Sequence, residues 1–345
     1  MQIHLHSQED MTPEGFSNLT WALLVASYLP GVGKNTLWQI AADSSFPKLG
    51  MDGMDVIHPA LSDISKRTPK FFSAESKALR QVDLCAKHGV DVVGYWDSAY
   101  PAYMRVAPSS PAVFWVRGNK ECLQLPMAAV IGTREPTRDG EITAYRVSAA
   151  LAERGVVVVS GLALGVDAIA HAACVDACKP TVAVMPCGLD SVSPKKNEEL
   201  SARILGAGGI LFSEFPVGAP SFSSNFVTRD STQAALSSVV VLIQSGLTGG
   251  SLHASRAVLK LNRRLVVVNP TPRDIAYKEP KAAANIAFAV HDSYAISKMN
   301  FDLDRALDVY ILRSKSQYDD LSELIKAHWQ AIRTHITPDR RHLAE

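Results

Sequence analysis

Residues 156–171 read Val156-Val157-Val158-Val159-Ser160-Gly161-Leu162-Ala163-Leu164-Gly165-Val166-Asp167-Ala168-Ile169-Ala170-His171. A run of β-branched residues closed by Ser160-Gly161 predicts a short buried strand. From Val166 the apolar positions recur at helical spacing as far as Cys178. A strand that turns on glycines directly into a helix is one unit of a parallel α/β sheet, and similar units lie on both sides of it.

The other strand candidates are Ala128 to Gly132, Thr181 to Met185, Gly209 to Ser213, Ser238 to Ile243 and Arg264 to Val268. Between them helices are expected over Asp139 to Arg154, Asn197 to Gly206, Arg229 to Leu236 and Ser251 to Leu261. Strands and helices in strict alternation make an α/β fold, a doubly wound parallel Rossmann-like sheet. Ligands of such sheets bind beyond the carboxyl ends of the strands, which directs attention to the loops there.

Upstream, Leu19 to Ala42 reads as two short helices joined by Leu29-Pro30-Gly31-Val32-Gly33-Lys34, the outline of a small helical domain of helix-hairpin-helix or SAM-like type. A third helix, Ser73 to His88, should end at Gly89 as a left-handed cap. Val90 to Tyr95 and Ala112 to Arg117 are short strand candidates. The expected organisation is a helical domain over 1–90, an extended connector over 91–126, the Rossmann-like domain over 127–272, and a linker with a C-terminal helical extension over 273–345. In that extension Leu303 to Ile332 reads as one or two amphipathic helices, and the tail Asp339-Arg340-Arg341-His342 as frayed.

The composition, 47% hydrophobic and 20% charged, is that of a globular protein rather than a disordered or fibrous one. No apolar run approaches the roughly 20 residues that span a bilayer, and Met1 to His6 lacks the layout of a secretion signal, so the expected location is the cytoplasm. The five cysteines, Cys85, Cys122, Cys174, Cys178 and Cys187, lack paired metal-ligand spacing, so reduced and mostly buried thiols are expected, with no metal and no cofactor. A net charge of +1 excludes a broadly basic DNA-wrapping surface and confines any nucleic-acid site to a local patch.

The strand-end loops carry the candidate chemistry. In Ile131-Gly132-Thr133-Arg134 the glycine admits a ligand close to the backbone, and Arg134 offers a fork of donors to phosphate oxygens. Ser160, Gly161 and Gly165 form a second cradle that does not match the Gly-x-Gly-x-x-Gly dinucleotide fingerprint, which counts against an NAD enzyme. Asp167 and His171, four apart on one helix face, make either a structural pair fixing the turn or a catalytic pair for which no nucleophile is evident. Asp190 follows the third strand, and Lys195 with Lys196 stands at a Pro194-initiated helix start, either against phosphates or in solvent. Glu214 ends the fourth strand; beyond it Phe222 and Phe226 can stack on bases or pack, and the loop leads to Arg229. The stretch Ser245-Gly246-Leu247-Thr248-Gly249-Gly250-Ser251 brings Gly249, Gly250 and Ser251 to a helix start, the most phosphate-friendly segment of the chain.

Taken in order, these loops resemble the bacterial DNA-processing protein A (DprA, also called Smf) family. Its Gly-Ser-Arg turn is similar to Gly132-Thr133-Arg134, its Ser-Gly-Leu-Ala-Arg-Gly-Ile-Asp with Ala-His to Ser160–Asp167 with Ala170-His171, and its Gly-Leu-Asp and Pro-Lys motifs to Gly188-Leu189-Asp190 and Pro194-Lys195-Lys196-Asn197. Ser213-Glu214, Phe226 to Arg229, Gly249 to Leu252, the Leu29–Gly33 hairpin, Tyr100-Pro101 and Val116-Arg117-Gly118 continue the likeness. The resemblance implies a divergent member that binds single-stranded DNA, dimerises, and hands DNA to a RecA-type recombinase in uptake, recombination or defence. It implies a mediator rather than an enzyme, with Arg134, Lys195 and Arg229 on phosphate; Ala substitution of Arg134 or Arg229 is expected to weaken DNA binding without unfolding the chain. Three positions depart from the family pattern. The arginine of Ala-Arg-Gly is Leu164, Arg-Asn-Arg has become Arg229-Asp230-Ser231, and the tyrosine before Pro194 is Ser193. No C-terminal winged-helix segment is evident. The alternative is a nucleotide-binding sensor or scaffold on the same fold, in an antiviral or stress pathway, with nucleotide hydrolysis left open.

Overall fold

The computed structural model describes residues 12–51, 53–108, 110–306 and 309–336. Met1 to His6 and the tail Asp339 to His342 lie outside the described residues. The chain divides into two compact units, one made of residues up to Ser98 together with Pro111–Val113, the other of Ala99–Ser110 and everything from Phe114 on.

In the first unit, helices Asn18–Ala26 and Lys34–Ala42 flank the exposed Pro30–Gly33 turn as the hairpin reading expects. Ser17 caps the first through its hydroxyl, which accepts from the Thr20 N–H at 3.2 Å. Trp21, Leu24, Ile40, Phe46 and Phe71 are buried together with the face of a long helix, Pro69–His88. That helix starts four residues earlier than its apolar period indicates, because Thr68 supplies the cap and Pro69 sits at the first helical position, where it has no N–H to satisfy. It ends at Gly89, with φ 62° and ψ 40°, the left-handed geometry that favours glycine. Strand β1 (Asp91–Gly94) follows, and the Asp97 carboxylate accepts from Gly94 N, Ser17 Oγ and Thr20 Oγ1 at 2.8–2.9 Å, tying the strand's end to the first helix.

The second unit carries β2 (Val113–Gly118) from Phe114 on, β3 (Met127–Ile131), β4 (Val157–Ser160), β5 (Thr181–Met185), β6 (Ile210–Ser213), β7 (Val239–Leu242), β8 (Arg264–Val268) and β9 (Tyr310–Leu312). These pair in the order β2-β6-β5-β4-β3-β7-β8-β9. All pairings are parallel except β2 with β6, where Val116 faces Phe212. Strands β3 to β7 are buried along their whole length, since helices cover both faces, and this is why they read as unbroken apolar runs. Val130, Val158, Val241 and Val266 pack under helices Arg138–Glu153 and Val166–Asp176 and under Leu321 and Ile325 of helix Tyr318–Ile336. Strand order reverses between β3, which continues through β4 to β6, and β7, which continues to β8. The crevice beyond the carboxyl ends of β3 and β7 is therefore the topological switch point.

Three expectations change. Helix Ser223–Ala235 begins six residues before Arg229, because its first turns are Ser-Ser-Asn and carry no apolar period. The region expected as a linker after 272 holds helices Pro272–Ala276, Ala283–Ala289 and Ser293–Lys298, each too short for periodicity to register. Within the stretch read as helical from Leu303, three residues form β9 beside β8, because Tyr310-Ile311-Leu312 can pair in register with Val266–Val268.

Candidate nucleic-acid interface

A cavity of about 390 Å³ opens beyond the carboxyl ends of β3, β4 and β7. Among the residues singled out in the sequence, it brings together Gly132, Thr133, Arg134, Asp167, Arg229, Gly249, Gly250 and Ser251.

Its floor is an ion pair. Arg229, on helix Ser223–Ala235, places Nη1 3.3 Å from Asp167 Oδ2 and 3.5 Å from Asp230 Oδ1. The Arg229 and Asp167 side chains are only 6% and 7% exposed, so the pair is enclosed by protein. Asp167 also accepts from the Gly161 N–H at 3.2 Å. Gly161 is required by this packing, since a Cβ there would stand 1.3 Å from Arg229 Nη1. Its N–H and its missing side chain both serve the ion pair, rather than a ligand.

Above the pair lies the Phe226 ring, with the Arg134 guanidinium 5.7 Å and the Arg229 guanidinium 5.8 Å from its centre. Both lie within cation–π range. Arg134 is exposed, so it can reach a phosphate while its guanidinium stays near the ring. Asp230 reaches the same cavity, and burial, with the Asp167 charge adding to it, pushes its carboxyl up to about 7 against the pull of Arg229 and Arg134. At neutral pH this carboxyl therefore titrates, and the charge of the cavity varies with pH.

The opposite wall is the loop between β7 and helix Ser251–Lys260. Its shape is fixed from beneath by Asn285, whose Oδ1 accepts from Ser245 N at 3.0 Å and whose Nδ2 donates to Ile243 O and Val268 O at 2.9 Å. Ser251 Oγ donates to Ser245 Oγ at 2.9 Å. Leu252 N and His253 N donate back to Gly249 O and Gly250 O at 3.2 and 2.9 Å, so what favours an anion here is the positive end of the helix dipole, at Gly249, Gly250 and Ser251 where they line the cavity. Gln244 joins this wall to the β3 loop, accepting from Thr137 N and donating to Thr137 Oγ1, both at 2.9 Å. Asn285, Gln244 and His253, which also lines the cavity, were not among the residues singled out from sequence. The one local signal was a polar amide directly after a buried strand, as at Gln244.

The remaining candidates do not line the cavity. Ser160 is fully buried and donates to Val130 O at 2.7 Å. Gly165 packs against the Arg134 backbone, whereas Gly132, which does line the cavity, leaves room for Val166. Asp167 and His171 do not bond each other: Asp167 serves Arg229, while His171 Nδ1 meets Thr181 Oγ1 at 2.8 Å. Burial and the Arg229 charge hold His171 down to about 3, so it is neutral at physiological pH. Asp190 accepts from Gly218 N at 2.6 Å and closes a turn, and Glu214 accepts from Thr232 Oγ1. Lys195 is exposed at the start of a short turn, Lys195–Asn197. Asn197 Nδ2 holds that turn to Leu162 O and Ala163 O at 2.7 and 3.2 Å, and Ala163 lines the cavity. Of the cysteines, Cys174 is buried and Cys178 exposed, so the two face different environments.

The sequence profile of the DNA recombination-mediator protein A family matches residues 91–292. The chain belongs to this family. Among curated relatives, it is 37% identical over 169 residues to the putative DNA processing protein DprA of Mycobacterium tuberculosis, covering 48% of this chain and 43% of that protein. It is 33% identical over 180 residues to the Smf protein of Synechocystis, covering 51% and 45%. The chain thus spans less than half the length of these relatives. In three dimensions it is similar to DNA processing protein A from Streptococcus pneumoniae, with a TM-score of 0.66 at 20% identity over 89% of this chain and 98% of that one. DNA processing protein A from Helicobacter pylori, described for its single-stranded DNA binding mode, gives a TM-score of 0.50 at 24% identity over 63% and 95%. At these identities the structural likeness establishes the recombination-mediator fold. Among the described residues, no helix is long and apolar enough to cross a membrane.

Proposed function

We propose that this recombination-mediator family member binds single-stranded DNA in the cavity at the β3/β7 switch point. The observation that carries the reading is the Phe226 ring within cation–π range of both Arg134 and Arg229, in the cavity that the start of helix Ser251–Lys260 also lines. An aromatic ring beside the exposed Arg134 can hold a base by its face and a phosphate by the guanidinium, which suits a single strand irrespective of sequence. A duplex keeps its bases stacked and offers no free face to that ring. The H. pylori relative, described for binding single-stranded DNA, supports the same ligand here. Lys195 extends the contact along the strand, and hand-off to a RecA-type recombinase by a homodimer completes the proposed role. The reading is of a binding protein rather than an enzyme, and the buried, neutral His171 is not placed to act on a ligand in the cavity; a cytoplasmic location is part of the same proposal.

Fluorescence anisotropy of a labelled oligonucleotide tests it. Single-stranded DNA is expected to bind more tightly than duplex, and Arg134→Ala to weaken binding about tenfold, the worth of one charge-assisted hydrogen bond. Equal affinity for both forms, or an unchanged Arg134→Ala variant at low salt, overturns the proposal. Saturable binding of a mononucleotide without oligonucleotide binding turns the cavity into a nucleotide site.

A further inference from the structure

The opposite end of the same sheet holds a second cavity, of about 410 Å³, at the amino ends of β7 and β8. Strand β7 separates the two: Ser238 and Val239 line this one, and Ser245, just past the strand's other end, lines the DNA cavity. Arg263, Arg264, Arg305 and His328 all line it, and among the described residues no aspartate or glutamate does.

Arg263 is the buried member, 7% exposed, and Nη1 donates to the carbonyls of Ala234, Ala235 and Ser237 at 2.8–3.0 Å, while Nη2 donates to Tyr103 O at 2.6 Å. Its hydrogen bonds are satisfied, yet among the described residues it has no carboxylate partner, so its positive charge is only partly offset by the carbonyl ends of helix Ser223–Ala235. The field is felt nearby, because burial and then the Arg263 charge hold His328 below the ordinary histidine range. Arg264 is exposed on the rim. Arg305 donates to Leu259 O at 2.7 Å and meets Asp302 only at 3.9 Å, through side chains 45% and 62% exposed, where solvent weakens the pairing.

We propose that this cavity is a binding site for a polyphosphate group, separate from the DNA cavity. Three guanidinium groups around one space repel each other, and a multiply charged anion relieves that repulsion: Arg264 and Arg305, both exposed, can turn donors to its oxygens, while Arg263, its N–H groups held by backbone carbonyls, contributes charge alone. The volume exceeds what one phosphate fills and falls in the range of small-ligand pockets, roughly 300–1,000 Å³. The apolar walls are Val239, Leu259 and Leu324, and among the described residues no Phe, Tyr or Trp lines the cavity to stack a base, so the phosphate chain rather than a nucleobase is what the site recognises.

Titration calorimetry of the full chain with sodium tripolyphosphate at low ionic strength is the test, using Arg264→Glu because that side chain is exposed and its loss leaves the buried Arg263 network intact. Saturable binding is expected in the unsubstituted protein and in Arg134→Ala, weakened about tenfold or more in Arg264→Glu, on the order of one lost charge-assisted contact. A thermal melt matching the unsubstituted protein confirms that Arg264→Glu is folded, and Arg264→Gln supplies a milder variant if it is not. No saturable binding, equal affinity in the folded variants, or loss of binding in Arg134→Ala instead overturns the proposal. Competition in the Arg134→Ala background identifies the source: displacement by ATP points to a free nucleotide, and displacement by a 5′-phosphorylated but not a 5′-hydroxyl oligonucleotide points to a strand end. Either supports the site.

Discussion

Arg229 and Arg134 look alike in the sequence, each an arginine near a strand-end loop, but the fold gives them different work. Replacing Arg229 with Ala leaves Asp167, 5% exposed, buried without its cation, and breaking such a pair costs about 3 kcal/mol or more. Arg134 is exposed and its removal should cost under about 0.5 kcal/mol. Urea denaturation of the two Ala variants should therefore move the midpoint strongly for Arg229 and hardly for Arg134; equal midpoints would mean that the ion pair does not hold the floor. The expectation that both substitutions spare the fold is thus revised for Arg229, whose loss of DNA binding would report partly on stability. Asp230 gives the cavity a pH response. Its carboxyl is raised to about 7 when folded, so between the ordinary aspartate range and that value only the folded state holds the proton, and stability falls as pH rises through this window. Bound phosphate raises the carboxyl further, so DNA affinity should also fall as pH passes 7, by at most about tenfold per pH unit for one coupled proton. Anisotropy at pH 6 and pH 8 checks this, and Asp230→Asn should flatten the difference; a slope that persists in the variant assigns the proton elsewhere.

At the level of elements, the β7–helix wall depends on Asn285, 1% exposed and contributed by the helix Ala283–Ala289, far along the chain from the loop it holds. Asn285→Leu strips the hydrogen bonds from Ser245 N, Ile243 O and Val268 O and should cost about 2–3 kcal/mol, with weaker DNA binding as the wall loosens. Differential scanning calorimetry with anisotropy on the same variant checks both, and unchanged binding would show that the wall does not touch the strand. The contrast between Asn285 and Ser251 explains what was legible. Strands β3 to β8 and their helices could be read because apolar runs and helical periods are local properties of the chain, and Gly249 to Ser251 because a helix start announces itself in glycine and hydroxyls. Asn285 could not, since one amide in a seven-residue helix carries no period and acquires meaning only when folding sets it under β7. Gly161 and Ser160 had the composition of a phosphate cradle, but Gly161 makes room for Arg229 and Ser160 bonds the neighbouring strand. Glycine and serine at a strand end serve packing and phosphate equally well, and composition alone does not separate the two. Tyr310–Leu312 was lost for a related reason: three apolar residues fit either period, and their pairing with β8 decides.

For the molecule as a whole, a net charge of +1 means that long-range attraction of DNA is weak and that affinity rests on a few local contacts. Arg229 is largely neutralised by Asp167, which leaves Arg134 and Lys195, among the described residues, as the exposed cations assigned to the strand, with Lys196 beside Lys195. Two to three neutralised phosphates on a single strand give a slope of log affinity against log salt of about −1.4 to −2, using roughly −0.7 per contact. A slope steeper than about −4 would mean that cations outside this set carry the binding. Leu164 provides the complementary test, since it stands where the family pattern has arginine, is 38% exposed, and follows Ala163 at the cavity wall. Leu164→Arg should tighten binding at low salt and steepen the slope by about 0.7, one added phosphate contact. If affinity rises without a change in slope, the gain comes from stacking or packing, and the strand does not run past the β4 loop. If neither changes, the strand leaves the cavity on the side of Ser251, and the contact assigned to Lys195 goes with it.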